Sequence, residues 1–260
     1  MATKILSMPT QDSLTLLFAL VGGIIPPLIW LWFWDKEEDG KNPEPKSLVV
    51  ATFIGGMIAV PIAFFLEKKI SDLGLGEFLS ATAPQGKLFA GLIILVFIEE
   101  VVKYFAAQGI AFPNKHFDEP VDAIIYMISA ALGFAALENS LFLIEALSHV
   151  NITLNQWNIL FIPRVDELLV NNNLRFIGAN VLHTVSSGLI GVFIGYSFYK
   201  HWTVKIIYFF MGLSIATLLH TFFNFFIITN GDKPIVVFSF LWAGAILLIF
   251  LFERVKRIRS

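Results

Sequence analysis

The chain has no cysteine among its 260 residues, and only 15% of them are charged. The missing cysteines exclude a disulfide framework, thiolate zinc sites and cysteine nucleophiles, and they leave the redox compartment unreadable. The scarcity of charge removes the surface that a soluble domain of this length carries. Basic tracts are missing as well. The formal net charge is −2 with no Arg-rich or Arg/aromatic segment, so no nucleic-acid partner is expected. There is no internal repeat, no low-complexity segment, no HExxH and no GxSxG. The only Gly-Asp pair, Gly231 and Asp232, falls in a short loop with no aspartate partner deep in an apolar run.

What is present is apolar. Hydrophobic residues make up 57% of the chain and the mean hydropathy is +0.76, values that belong to membrane proteins. Runs long enough to cross a bilayer, about 20 residues each, recur from end to end. We read spans at 13–34, 47–66, 88–112, 121–147, 174–198, 204–228 and 234–252. The expectation is therefore an all-α, polytopic membrane helix bundle of about seven transmembrane helices, forming one integral-membrane domain over 1–260 in contact with the lipid bilayer. The run from Ser13 to Trp34 is too long for a signal-peptide core and reads as a retained first span. Pro26, Pro27 and Pro61 are expected to kink the first two spans. The connectors after the second and fourth spans are expected to hold short interfacial helices.

Lys and Arg orient the bundle, because cytoplasmic loops carry the excess. One set of loops and termini holds seven (Lys4, Lys68, Lys69, Lys87, Arg164, Arg175, Lys233). The alternate set holds ten (Lys36, Lys41, Lys46, Lys115, Lys200, Lys205, Arg254, Lys256, Arg257, Arg259). The bias favours a cytoplasmic C-terminus and an external N-terminus.

A charge at a helix centre costs on the order of 2.5–3.5 kcal/mol on insertion scales, so each needs a partner or a task. Four spans carry such charges or other strongly polar groups: Glu99, Glu100 and Lys103 in the third, Glu138 and Asn139 in the fourth, Asn180 and His183 in the fifth, and His220 and Asn224 in the sixth. Spacings of three and four put Glu99 with Lys103, Glu100 with Lys103 and His220 with Asn224 on shared helix faces. Counted from the external ends, the carboxylates and imidazoles fall at depths of roughly 12–18 Å, at 1.5 Å per residue. Each residue alone has a plainer explanation, such as a structural ion pair, an interhelical hydrogen bond or a satisfied core histidine. Agreement in depth across four helices argues against it.

"EEVVK" (99–103), "FAALE" (134–138) and "HTFFN" (220–224) resemble the EExxK, FxxxE and HxxxD/N motifs of the PrsW family of intramembrane proteases, related to the CAAX-prenyl endopeptidases and bacteriocin-processing proteins. "NPEPK", "DAIIY" and "RFIGANVLH" also fit its pattern, so the likeness runs from about 42 to 228, with a protease core at about 88–228. Where the family motif commonly ends in aspartate this chain has Asn224, a neutral amide. The resemblance implies an endopeptidase in a bacterial cell membrane that cuts a membrane-protein or peptide substrate, for instance an anti-sigma factor in a site-1-type step.

Hydrolysis without a side-chain nucleophile needs an activated water, a base and oxyanion donors. The catalytic candidates are Glu99, Glu100, Lys103, Glu138, His183, His220 and Asn224. Glu99 or Glu100 is read as the general base, with Lys103 orienting the other carboxylate. In one version Glu138, His183 and His220 form a His₂Glu set for zinc with a position open for water. In the other, metal-free version, His220 and Asn224 donate to the oxyanion while Glu100 and Glu138 handle protons. Asn180 is expected to orient His183. Ser186 and Ser187 read as helix-packing positions, and Asp122 and Arg175 as orientation or packing partners. The rival reading is a proton- or ion-coupled transporter or channel, since buried Glu and His also build ion pathways; the absence of an inverted repeat counts against it.

Overall fold

The structure, a computed structural model, describes residues 12–38, 43–78, 83–148, 165–229 and 234–259. Seven long helices follow one another: α1 (Asp12–Glu37), α2 (Lys46–Asp72), α3 (Gln85–Ile110), α4 (Asp122–Ser148), α5 (Val165–Tyr196), α6 (Trp202–Thr229) and α7 (Pro234–Val255). Among the described residues there is no strand. In hydrocarbon every backbone N–H and C=O must be satisfied inside its own segment, and uninterrupted helices do this. The shortest helix has 22 residues, about 33 Å of rise against a bilayer core of about 30 Å.

Six of the seven helices are long and apolar enough by themselves to cross a membrane. The exception is α3, whose apolar run is interrupted by Glu99, Glu100 and Lys103. Protein rather than lipid surrounds it where those charges sit: it packs against α2, α4 and α6.

The expected spans and the helices agree within a few residues except at two ends. Helix α2 continues through Glu67, Lys68 and Lys69, and α5 begins at Val165, well before the expected 174. Apolarity marks only the part of a helix inside the bilayer, so the polar turns beyond it were invisible to a hydropathy reading. Among the described residues of the connector after α2 there is one 3₁₀ turn, Leu75–Glu77; residues 149–164, where a second interfacial helix was expected, lie outside the described residues. Both α1 and α2 run unbroken through their prolines.

Helix α4 occupies the centre. Every residue from Asp122 to Ala136 is buried, because α1, α2, α3 and α5 all pack against this helix. It is accordingly apolar all round rather than amphipathic. The outer helices do the reverse of a soluble protein: Phe18, Ile29 and Trp32 of α1, Ile58 and Phe65 of α2, Ile207 and Phe210 of α6 and Phe240 and Ile246 of α7 are exposed, facing where lipid would lie.

Close approach of α2 to α4 depends on two glycines. A Cβ on Gly56 would fall inside the carbonyl oxygen of Ala130, and one on Gly133 inside the carbonyl oxygen of Phe53. Small residues at such crossings let helix backbones meet in membranes. The obstacle is backbone, so no rotamer change relieves it. Gly133→Ala is expected to destabilise the bundle by about 1–3 kcal/mol, the usual cost of overpacking. Gly109→Ala in α3, where a Cβ meets nothing within 4 Å, is the neutral control; thermal unfolding in detergent compares the two.

Candidate active site

Four helices bring the predicted polar residues together. Helix α3 supplies Glu99, Glu100 and Lys103, α4 supplies Glu138, α5 supplies His183, and α6 supplies His220. Glu100 and Lys103 are fully buried, and His183 and His220 are each 2% exposed. The rings of His183 and His220 meet edge to face with centroids 4.9 Å apart.

Glu100 is the most heavily bonded of the three glutamates. Its Oε1 accepts from Lys103 Nζ at 2.7 Å, Ser186 Oγ at 3.0 Å and His220 Nδ1 at 2.8 Å, and its Oε2 accepts from Ser187 Oγ at 2.7 Å. Four donors from three helices leave this carboxylate little capacity for anything else. Ser186 and Ser187 were read from the sequence as packing positions. They lie three and four residues after His183, so α5 presents them on its face, and that spacing was the available signal.

Lys103 Nζ also lies 2.9 Å from His183 Nδ1, and 4.7 Å over the ring of Phe134. An ammonium can only donate, so Nδ1 accepts and the proton of neutral His183 sits on Nε2, donated to Glu138 Oε2 at 2.8 Å. Phe134 thus has a definite contact within the motif FxxxE, a cation–π cap on the buried lysine. By the same reasoning His220 donates its Nδ1 proton to Glu100, which leaves the lone pair of Nε2 free. A carboxylate behind the far nitrogen of a histidine is the usual way of fixing that tautomer.

Glu99 differs from Glu100 although the two are adjacent, because successive helical residues point about 100° apart. Its Oε2 lies 3.7 Å from His220 Nε2 and 3.7 Å from Lys103 Nζ. That oxygen is buried and has no hydrogen-bond partner among the described residues. Glu138 is the most open of the set, with 32% of its side chain exposed. It lines a cleft of about 380 Å³ together with Asn139, His183, His220 and Asn224, among apolar side chains that include Phe64, Leu92, Phe142, Phe223 and Ile227. Asn224 therefore stands where the sequence motif puts it, one turn on from His220. Asn180 does not do what was expected: it accepts from Asn139 Nδ2 at 3.1 Å, tying α5 to α4 beside the centre instead of orienting His183.

The expected metal triad was Glu138, His183 and His220. The donor atoms that gather within 4.8 Å of one another belong to Glu99, His183 and His220. Glu99 and His220 fit a divalent metal ion as they stand, whereas both nitrogens of His183 are engaged, Nδ1 by Lys103 and Nε2 by Glu138. A carboxylate and an imidazole are donor chemistry of zinc and its neighbours, and Glu99 Oε2 is an orphaned buried oxygen beside the free Nε2 of His220.

Fold and site together define a multi-pass membrane protein with an ionisable centre buried in its bundle, a class that holds both intramembrane hydrolases and ion-coupled transporters. Comparison with known families separates the two. The family described as "PrsW family intramembrane metalloprotease" matches residues 44–252, and the chain belongs to the PrsW family. It is 32% identical over 128 residues to the protease PrsW of Bacillus subtilis (strain 168), a stretch covering 49% of this chain and 55% of that protein. It is 30% identical over 128 residues to the protease PrsW of Geobacillus kaustophilus (strain HTA426), covering 49% and 53%. With the protease PrsW of Clostridioides difficile (strain 630) it shares 26% identity over 228 residues, covering 87% and 82%. The chain thus spans about half the length of the first two relatives and most of the third. No solved structure matches it. Nothing in these comparisons favours the transporter reading.

Proposed function

We propose that this protein is an intramembrane endopeptidase, and that Glu99 and Glu138, not Glu100, are the carboxylates that act at the reacting centre. The observation that carries the reading is the contrast among three glutamates in one buried cluster: Glu100 is held by four donors, Glu99 keeps an unpartnered oxygen, and Glu138 opens onto the cleft.

Glu99 Oε2 and His220 Nε2 are the free donors that would hold a metal, and zinc suits a carboxylate and an imidazole; His183, whose two nitrogens are engaged by Lys103 and Glu138, stands beside them. Bound there, zinc supplies Lewis-acid polarisation of the scissile carbonyl and a water acidic enough to ionise near neutral pH. Glu138 takes a proton from the attacking water as its oxygen bonds to the carbonyl carbon. It then passes that proton to the amide nitrogen as the C–N bond breaks, the ordinary general base and acid exchange. The Asn224 amide, which also lines the cleft, donates to the carbonyl oxygen as charge develops on it. Lys103 and Glu100 are positioning residues: Lys103 fixes His183 through Nδ1, and Glu100 fixes His220 through its Nδ1 proton.

The cleft lies among apolar side chains at membrane depth, which suits an unwound segment of a single-span membrane protein; an anti-sigma factor is the instance that the family resemblance suggests. The excess of Lys and Arg at ten positions against seven supports a cytoplasmic C-terminus, with the centre in the external half of a bacterial cell membrane.

The test uses purified protein in liposomes with a single-span substrate. Wild type is expected to cleave, to contain stoichiometric zinc by elemental analysis, and to stop when a zinc chelator is added. Glu138→Gln should keep the zinc and lose turnover by about 10²–10⁴-fold, the usual worth of a general base. Cleavage that ignores the chelator in zinc-free protein would remove the metal from this account, and undiminished turnover in Glu138→Gln would remove Glu138 as the proton carrier.

A further inference from the structure

The molecule has a second buried cluster of ionisable groups, which the proposed reaction does not use. Glu38 follows the last turn of α1, Glu44 precedes α2, and Asp122 opens α4. They are 8%, 5% and 1% exposed, and one carboxylate oxygen from each lies within 4.8 Å of the other two. Asp122 and Glu138 are sixteen residues apart on one helix, about 24 Å, so this cluster lies at the opposite end of the bundle from the Glu/His centre.

Some of its oxygens have partners. Glu38 Oε2 accepts from the Glu44 backbone N–H at 3.2 Å. Asp122 Oδ2 accepts from the backbone N–H groups of Asp118 and Glu119 at 2.8 and 2.6 Å. Tyr126 donates its hydroxyl to Glu44 Oε2. Glu38 Oε1, in contrast, is buried with no hydrogen-bond partner among the described residues, although two other carboxylates lie within reach. Nor does any Lys, Arg or His among the described residues form an ion pair with the three.

Burying three carboxylates against one another is costly, and a cation is what offsets it. Burial, reinforced by repulsion from neighbouring carboxylates, pushes Glu38 and Glu44 each up to about 7, which expresses that cost. The donor set contains oxygen only, without nitrogen or sulfur, and three carboxylates furnish three to six of the oxygens that hard cations take. Such a set selects calcium or magnesium over zinc or copper.

We propose that Glu38, Glu44 and Asp122 form a binding site for a hard divalent cation, which ties the α1–α2 connection to the start of the central helix α4. The unpartnered Glu38 Oε1 is one of its ligands. Because an ion that binds only the folded chain stabilises it, occupancy is read as thermal stability.

The experiment takes the full chain in detergent, strips it with chelator, dialyses it, and titrates Ca²⁺ and Mg²⁺ separately while recording bound ion and Tm. One of the two ions is expected to bind saturably at one site and to raise Tm by several degrees; the ion with the larger shift identifies the preferred occupant. Glu38→Gln keeps an acceptor for the Glu44 N–H but loses the carboxylate charge, and is expected to weaken binding at least tenfold and abolish the shift. Glu44→Gln should do the same, which covers the case in which either variant folds poorly. Glu99→Gln, altered at the other end of the bundle, should bind the ion like wild type. Absence of saturable binding by wild type with both ions, or binding undiminished in both Glu38→Gln and Glu44→Gln, overturns the proposal.

Discussion

Glu99→Gln is expected to lower cleavage by at least about 10²-fold, more than the roughly 10–100-fold that loss of an outer-shell partner of a metal ligand costs, because it removes a carboxylate that would hold the metal, while leaving the unfolding temperature close to wild type. Its neighbour should behave in the opposite sense, with stability as the primary loss. Glu99 contributes little to the packing energy of the site: its Oε2 has no hydrogen bond, and its lysine partner is 3.7 Å away while holding Glu100 at 2.7 Å. Glu100 neutralises that fully buried lysine and accepts four hydrogen bonds. In Glu100→Gln an amide NH₂ must face some of those donors, and Lys103 is left without its close counter-charge. Breaking a buried pair in this way costs about 3–5 kcal/mol. Activity assays and thermal unfolding on the two variants side by side separate the roles. The reverse assignment, with Glu99→Gln unfolding and Glu100→Gln folding but inactive, would exchange the two residues in the mechanism.

Lys103→Met is the second large effect expected, and it falls first on stability. Methionine matches the length of lysine and is at home against the Phe134 ring, so the loss is electrostatic. Glu100 would stay buried at 0% exposure with hydroxyl and imidazole donors only, and His183 Nδ1 would lose the donor now 2.9 Å away. The expected cost is again about 3–5 kcal/mol. Replacing both partners by apolar groups is often nearly neutral, so Lys103→Met combined with Glu100→Leu should recover much of the lost stability. Cleavage should not return in the double variant, because His220 Nδ1 then has no carboxylate to fix its tautomer. Recovery of both stability and cleavage would mean that Lys103 and Glu100 serve only as structural glue.

Much of this molecule was legible before any coordinates. Hydropathy places the seven helices, with α3 the one whose apolar run is broken by charges, because a bilayer-crossing segment needs about 20 mostly apolar residues. The cluster was legible too, since charges inside apolar runs are costly enough to mark themselves, and Glu99, Glu100, Lys103, Glu138, His183 and His220 do converge. Less accessible was the division of labour inside it. Glu99 and Glu100 are chemically identical, and what distinguishes them is Ser186 and Ser187 of another helix. Residues as unmarked as serine in a span give no warning of such a role. The same holds for Asn180, whose partner proved to be Asn139 rather than His183, and for Phe134, one of 27 phenylalanines and the one lying over Lys103. The Glu38–Glu44–Asp122 cluster escaped because its members lie in connectors and at a helix end, where acids are ordinary. Only their burial, which a sequence does not display, makes them unusual.

The central claim is that the buried Glu/His centre hydrolyses peptide bonds. Its most direct test is cleavage of a single-span membrane substrate by the reconstituted protein in heavy-oxygen water, followed by mass spectrometry of the fragments. Wild type is predicted to release a fragment whose new C-terminal carboxylate carries one heavy oxygen from the solvent, and folded Glu99→Gln to release almost none. The same fragment appearing at the wild-type rate from Glu99→Gln would contradict the account.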